Sequence, residues 1–286
     1  MQNMIKDILL VLDSYPRPSN KRIIDSAIFL AKKLKSHVSA LSFEIAFKVN
    51  TPSVLHRLGL DGPILQLIAE ERGASRSNAK ALLHAFEVAA QDSEVSFGKI
   101  LCEESQENVT SATVEYARYR DFTIVSTKSD SEIANPTAQA VLFESGRPVL
   151  LPPQLLGDDD LISLENVAVA WDGSSAATRA VFDALPLLKL ATHVRIFTIR
   201  NDKPLLSDDR FGLKAYLERH GIHPVVEDID AAGRRTGEVL KRYVLGHEIG
   251  LLVMGGYGHS LAREFVFGGA TNSVLQKPFQ WTFLSH

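Results

Sequence analysis

The residues best suited to bind a charged ligand stand in one segment, Met254-Gly255-Gly256-Tyr257-Gly258-His259-Ser260-Leu261-Ala262-Arg263-Glu264-Phe265-Val266-Phe267-Gly268-Gly269-Ala270-Thr271-Asn272. It holds five of the chain's 18 glycines. The apolar run Gly250–Met254 leads into it, and the helix-periodic run Asn272–Gln276 leads out. A strand, a glycine loop and a helix start in that order suit a phosphate. Glycines admit an anion close to the backbone, and the free N–H groups of a helix start point at it. Thr271 and Asn272 are placed to cap that helix or to donate to a phosphate oxygen. Arg263 is a cation of the kind a polyphosphate attracts. A second feature is Asp172, the acidic residue that closes the apolar run Val167–Trp171.

These residues need a scaffold, and the chain repeats one scaffold twice. Asp7-Ile8-Leu9-Leu10-Val11-Leu12-Asp13-Ser14 near the start matches Asn166-Val167-Ala168-Val169-Ala170-Trp171-Asp172-Gly173-Ser174 past the middle. A helix-periodic segment follows each, Lys21–Leu34 and Ala176–Leu188, and then a second β-rich run, Val38–Phe43 and Val194–Ile199. Continuous apolar strands alternating with helices mark parallel βαβ units. Further strand-like runs are Val95–Leu101, Phe122–Ser126 and Pro148–Leu151 in the first half, and Pro224–Ile229, Gly250–Met254 and Gln280–Leu284 in the second. Helical segments over Val109–Arg118 and Thr236–Tyr243 lie between them. From Asp13 to Val125 is 112 positions, against 81 from Asp172 to Val253. The surplus falls at Ile64–Gln91, read as one or two added helices. Pro152 and Pro153, Gly157 and the triplet Asp158–Asp160 suggest a linker. The expected domains are 1–156 and 157–286.

Each half is thus an open, doubly wound α/β sheet. In such sheets ligands bind at the carboxyl ends of the strands, where the strand order reverses. If the order is 3-2-1-4-5, that crevice lies between strands one and four. Asp172 ends the first and Gly255 begins the loop after the fourth, so two separate features point to one crevice.

Composition narrows the classes. The 286 residues carry 31 Lys+Arg and 34 Asp+Glu, a net charge of −3, and are 45% hydrophobic. That is enough apolar content for a core. Balanced charge argues against a nucleic-acid binder and against a polybasic membrane surface. No run approaches the roughly 20 apolar residues of a membrane helix. A cytoplasmic location is the default expectation. The single cysteine, Cys102, makes no internal disulfide and is expected to be buried at a strand end.

The glycine segment resembles the nucleotide-binding motif of the universal stress protein family, G-x2-G-x9-G-(S/T). Gly255 and Gly258 match the first pair and Gly268 the third glycine, while Gly269 stands where Ser or Thr is usual. The missing hydroxyl costs a phosphate about 1 kcal/mol or somewhat more; Thr271 or Ser260 is placed to substitute. The resemblance covers nearly the whole chain. It implies two tandem Rossmann-like domains, each an open parallel five-stranded sheet of order 3-2-1-4-5, whose fifth strands pair. It also implies that Asp172 lies beside the adenine and ribose, that the Ala170 backbone contacts the base, and that Phe197–Ile199 provides a further adenine contact. The implied nucleotide site is Ala170, Asp172, Met254, Gly255, Gly258, Arg263, Gly268, Gly269, Ala270 and Thr271. The ligand is ATP or another adenine nucleotide, with Mg as an optional companion. No catalytic or metal-ligating residue is expected.

The first half lacks the loop: Ser126-Thr127-Lys128-Ser129-Asp130-Ser131-Glu132 has no glycine, and its carboxylates repel phosphate. Only the second domain is therefore expected to hold a nucleotide, the first serving as scaffold. His220 and His223 have H-x-x-H spacing but no evident third metal ligand. Asp228 and Asp230 read as structural, and Ser174-Ser175 as a helix cap. The leading function is a nucleotide-binding stress-response or regulatory protein that a protein partner reads, with a homodimer as a further expectation. Two alternatives stay open: a slow ATPase or phosphotransferase, and an interaction module that binds no nucleotide.

Overall fold

A computed structural model of the chain describes residues 5–47, 61–126, 135–157, 161–200, 210–256 and 269–286. In the first half the elements are β1 (Asp7–Leu12), α1 (Arg22–Leu34), β2 (His37–Ala46), α2 (Asp61–Asp92), β3 (Phe97–Ser105), α3 (Val109–Ala117), β4 (Phe122–Val125), α4 (Pro136–Glu144) and β5 (Val149–Leu151). The second half runs β6 (Asn166–Ala170), α5 (Ser175–Leu188), β7 (His193–Arg200), α6 (Arg210–Arg219), β8 (Val225–Asp230), α7 (Thr236–Gly246), β9 (Leu251–Gly255), α8 (Gly269–Gln276) and β10 (Thr282–Ser285).

The ten strands form one sheet of order β3-β2-β1-β4-β5-β10-β9-β6-β7-β8. Each half has the expected order 3-2-1-4-5, and within each half the strands are parallel. The two halves meet where β10 runs antiparallel to β5, pairing Thr282 with Leu151, Phe283 with Leu150 and Leu284 with Val149. Two sheets of one plan become one.

Burial on both faces explains the unbroken apolar runs of the inner strands. Alternate residues of β1 serve opposite layers. Ile8, Leu10 and Leu12 pack with Ile23, Ala27 and Leu30 of α1 and Phe86 of α2. Leu9 and Val11 pack with Val114 of α3 and Val141 of α4. In α1 the buried residues Ile23, Ile24, Ala27, Leu30, Ala31 and Leu34 form one stripe at helical spacing. Both apolar layers run through the two halves: Val167 and Phe283 belong with the first set, Leu252 and Leu284 with the second.

The repeat is visible in single hydrogen bonds. Ser42 Oγ donates to Leu12 O at 2.8 Å, and Thr198 Oγ1 to Trp171 O at 2.8 Å. The His37 amide donates to Lys6 O and the His193 amide to Glu165 O, each at 2.8 Å. These bonds make Asp13 the counterpart of Asp172, and Ser14 that of Gly173.

The stretch Ile64–Gln91, read as one or two added helices, lies within one helix, α2, of 32 residues. Fifty residues separate β2 from β3, against 24 between β7 and β8. Cys102 differs from expectation: it lies within β3 and is only half-buried, because β3 is an outer edge of the sheet. Its Sγ lies 3.2 Å from Tyr116 Oη. That hydrogen bond, with burial, pushes the Tyr116 pKa up to about 12.

The segment joining the halves is tied to both by hydrogen bonds at some of the residues described. Gln154 N donates to Pro278 O at 2.7 Å, Asn20 Nδ2 to Leu156 O at 3.0 Å, and Ile162 N to Ser26 Oγ at 3.3 Å. Asp158–Asp160 lies outside the described residues. Beyond it, Ser163 crosses so close to the chain before β9 that a Cβ on Gly250 would lie 2.4 Å from Ser163 O. Gly250→Ala is therefore expected to destabilise the protein by about 1–3 kcal/mol through overpacking against backbone, read as a lower midpoint in urea unfolding.

Candidate functional site

The carboxyl edge of the second half brings together residues that are far apart in sequence. Ala170, at the end of β6, is flanked in the sheet by Met254 of β9 and Phe197 of β7. Asp172 follows, half-buried. Its Oδ1 accepts from the Ser174 amide at 3.0 Å, a local turn that fixes the carboxylate. Its other oxygen accepts no hydrogen bond among the described residues. Ser174 N-caps α5, its Oγ accepting from Ala177 N at 3.1 Å, the expected capping role. Gly173, with φ of 73°, makes the turn between the two in a backbone region that favours glycine.

Gly255 has a packing reason for being glycine. A Cβ there would lie 2.5 Å from Ala177 N and 2.7 Å from the Ala176 carbonyl carbon. The end of β9 thus sits directly on the first turn of α5. Thr271, 6% exposed, points its Oγ1 toward Gly255 O at 3.4 Å, and Ala270 beside it is half-buried. So Ala170, Asp172, Met254, Gly255, Ala270 and Thr271 belong to one region. Gly258, His259, Ser260, Arg263 and Gly268 lie outside the described residues. Gly269 is described only as the start of α8, so that helix begins three residues before the periodic run read from the sequence.

The matching edge of the first half is filled by its own side chains. Ser14 Oγ donates to Phe43 O and meets Ser75 Oγ of α2 at 2.8 Å. Ser75 is fully buried and also accepts from Ile45 N at 3.0 Å. Asn78 Nδ2 donates to Ser14 O at 3.0 Å. The start of α4 is occupied as well: Asn135 Oδ1 accepts from the Thr137 and Ala138 amides at 3.1 and 3.2 Å. Those are the amides that an anion at this helix start would need. Sequence reading found the missing glycines here but not Ser75 and Asn78, whose role depends on where α2 crosses the sheet edge.

Glu227 and Asp228 on β8 are each paired with arginine. Asp228 binds Arg200, with Arg200 Nη2 at 2.7 Å, and the buried Arg210. Burial alone would raise the Asp228 pKa, but hydrogen bonds from the two arginines outweigh it and lower it. On the opposite face Glu227 takes hydrogen bonds from Tyr243 Oη and, at 3.1 Å, from Arg195 Nη1. Burial and the Glu227 contact push the Tyr243 hydroxyl upward. Among the described residues no group of three His, Cys, Asp or Glu side chains could hold a metal, and no helix is long and apolar enough to cross a membrane.

Glu227 generates a pH prediction. Burial would raise its pKa, but the bonds from Tyr243 and Arg195 leave it below the ordinary 4.5. A carboxyl lowered by folding stabilises the native state above its unfolded pKa, and that contribution is lost as pH falls through the folded value. The midpoint of thermal unfolding should therefore drop as pH is taken below about 4.5. Glu227→Gln should be less stable at neutral pH and show a shallower acid limb.

In fold the chain is similar to a universal stress protein from Archaeoglobus fulgidus DSM 4304, with a TM-score of 0.68 at 15% identity, covering 100% of this chain and 98% of that one. A protein of unknown function from Pseudomonas aeruginosa PAO1 has a TM-score of 0.59 at 13% identity, covering 99% and 93%. No family model matches the sequence, and no curated protein matches it.

Proposed function

We propose that this chain is a tandem member of the universal stress protein family that holds an adenine nucleotide, such as ATP, over Asp172 in its second domain. The contrast between the two strand edges carries this reading. The first is closed by Ser14, Ser75, Asn78 and the Asn135 cap. The second has Gly173 in place of Ser14 and half the chain length between its second and third strands.

The described residues fit the nucleoside end of such a ligand. Asp172, oriented by Ser174 N, has a carboxylate oxygen with which to accept ribose hydroxyls. Ala170 and the β7 end beside it lie at the same sheet edge as Asp172, where a base would sit. The glycine spacing Gly255, Gly258 and Gly268, followed by the α8 start, suits the phosphates, with Arg263 as a cation nearby. A Mg ion would arrive with the phosphates. Asp172 sits at the nucleoside end, and Asp228 is held by arginines. This supports a binding and regulatory role, read by a protein partner, over fast hydrolysis.

Mass spectrometry of the purified, denatured protein is expected to find an adenine nucleotide, and calorimetry to detect ATP binding. Asp172→Ala should weaken ATP by about tenfold or more, since hydrogen bonds to a charged acceptor are lost. Gly258→Val should weaken it further by blocking close approach. Unchanged ATP affinity in both variants would overturn the assignment.

A further inference from the structure

The start of the glycine segment does not rest on its own domain alone. Gly256 follows β9 and is buried. Its amide donates to Ser285 O at 2.7 Å. Its carbonyl lies 2.8 Å from His286 Nδ1. The remaining side of Gly256 faces the first domain: a Cβ built there would lie 2.7 Å from Cδ2 of Leu142, in α4. Leu142 is 2% exposed. Its neighbour Phe143 meets the His286 ring edge-on, with centroids 5.0 Å apart. Two consecutive first-domain side chains therefore hold Gly256, one directly and one through His286.

On this geometry, and resting on the nucleotide reading above, we infer that Leu142 and Phe143 are positioning residues for the nucleotide of the second domain. The physical reason is close packing. Gly255 is held against the α5 backbone, and its successor is held against Leu142. The backbone that turns from β9 toward the phosphate-binding glycines is thus clamped between the two domains. A packed contact of this kind has few intermediate arrangements, so moving Leu142 moves that backbone. The first domain, its own edge filled, sets the affinity of the second. Coupling is reciprocal: ATP held over Asp172 must in turn stabilise α4.

The test compares ATP affinity by calorimetry in the full-length wild type, Leu142→Ala, Phe143→Ala and Val114→Ala. Val114 of α3 is also 2% exposed and shares an apolar cluster with Leu142, so it controls for general loosening of that layer. Leu142→Ala should weaken ATP by about fivefold or more, and Val114→Ala by less than about twofold. Phe143 is 37% exposed; its variant tests the same clamp if Leu142→Ala does not fold, with an expected loss of about threefold. Hydrogen exchange should show ATP slowing the amides of α4 in the wild type and not in Leu142→Ala. Equal affinity in wild type and both clamp variants would overturn the inference. So would a Val114→Ala loss as large as that of Leu142→Ala. Both results presuppose a wild type that binds ATP. A wild type that does not bind it sinks the nucleotide reading itself, and the clamp with it.

Discussion

The antiparallel pairing of β5 with β10 is the constraint on which the rest of the molecule depends. A five-stranded open sheet would leave its fifth strand as an edge, with unpaired amides and carbonyls between two apolar layers. Burying such groups without partners is costly, and leaving them bare invites association. Here each fifth strand satisfies the other. Both apolar layers then run through the two halves. The outer edges are β3 and β8, which carry charged residues such as Lys99, Glu103, Glu227 and Asp228. Charges on an edge oppose further strand addition.

That pairing has a consequence for chemistry. By joining the fifth strands, it lays α4 of the first half beside the end of β9 in the second. Leu142 then meets Gly256 across the junction. Pairing of the fifth strands thereby packs a side chain of one copy against the backbone of the other.

The two copies show how one framework diverges. Their backbone bonds correspond at the strand ends, as the Ser42–Leu12 and Thr198–Trp171 pair shows. A single difference, Ser14 against Gly173, then acts with the long helix α2. A hydroxyl at Ser14 has Ser75 and Phe43 O within reach and becomes part of a closed polar cluster. A glycine has no side-chain hydroxyl to donate. The same backbone thus supports a filled edge in one half and a half-exposed carboxylate, Asp172, in the other.

The sequence by itself determined the framework. Unbroken apolar runs alternating with helix-periodic segments indicated inner strands of an α/β sheet, and their recurrence in matching order indicated two copies of one unit. Fourth-strand glycines and the acidic residue after β6 were expected to meet at the carboxyl edge, because sheet topology makes that edge their common meeting point. Strand limits were less legible: β2 and β3 run on to Ala46 and Ser105, since Glu44 in one and Glu103 and Glu104 in the other interrupt the apolar runs. What only the tertiary structure decided was which neighbours fill each edge. Ser75 reaching Ser14 and Leu142 seated on Gly256 are contacts between residues distant in the chain. Local pattern cannot specify them, because they depend on where one helix or domain crosses another and on distances of a few ångströms.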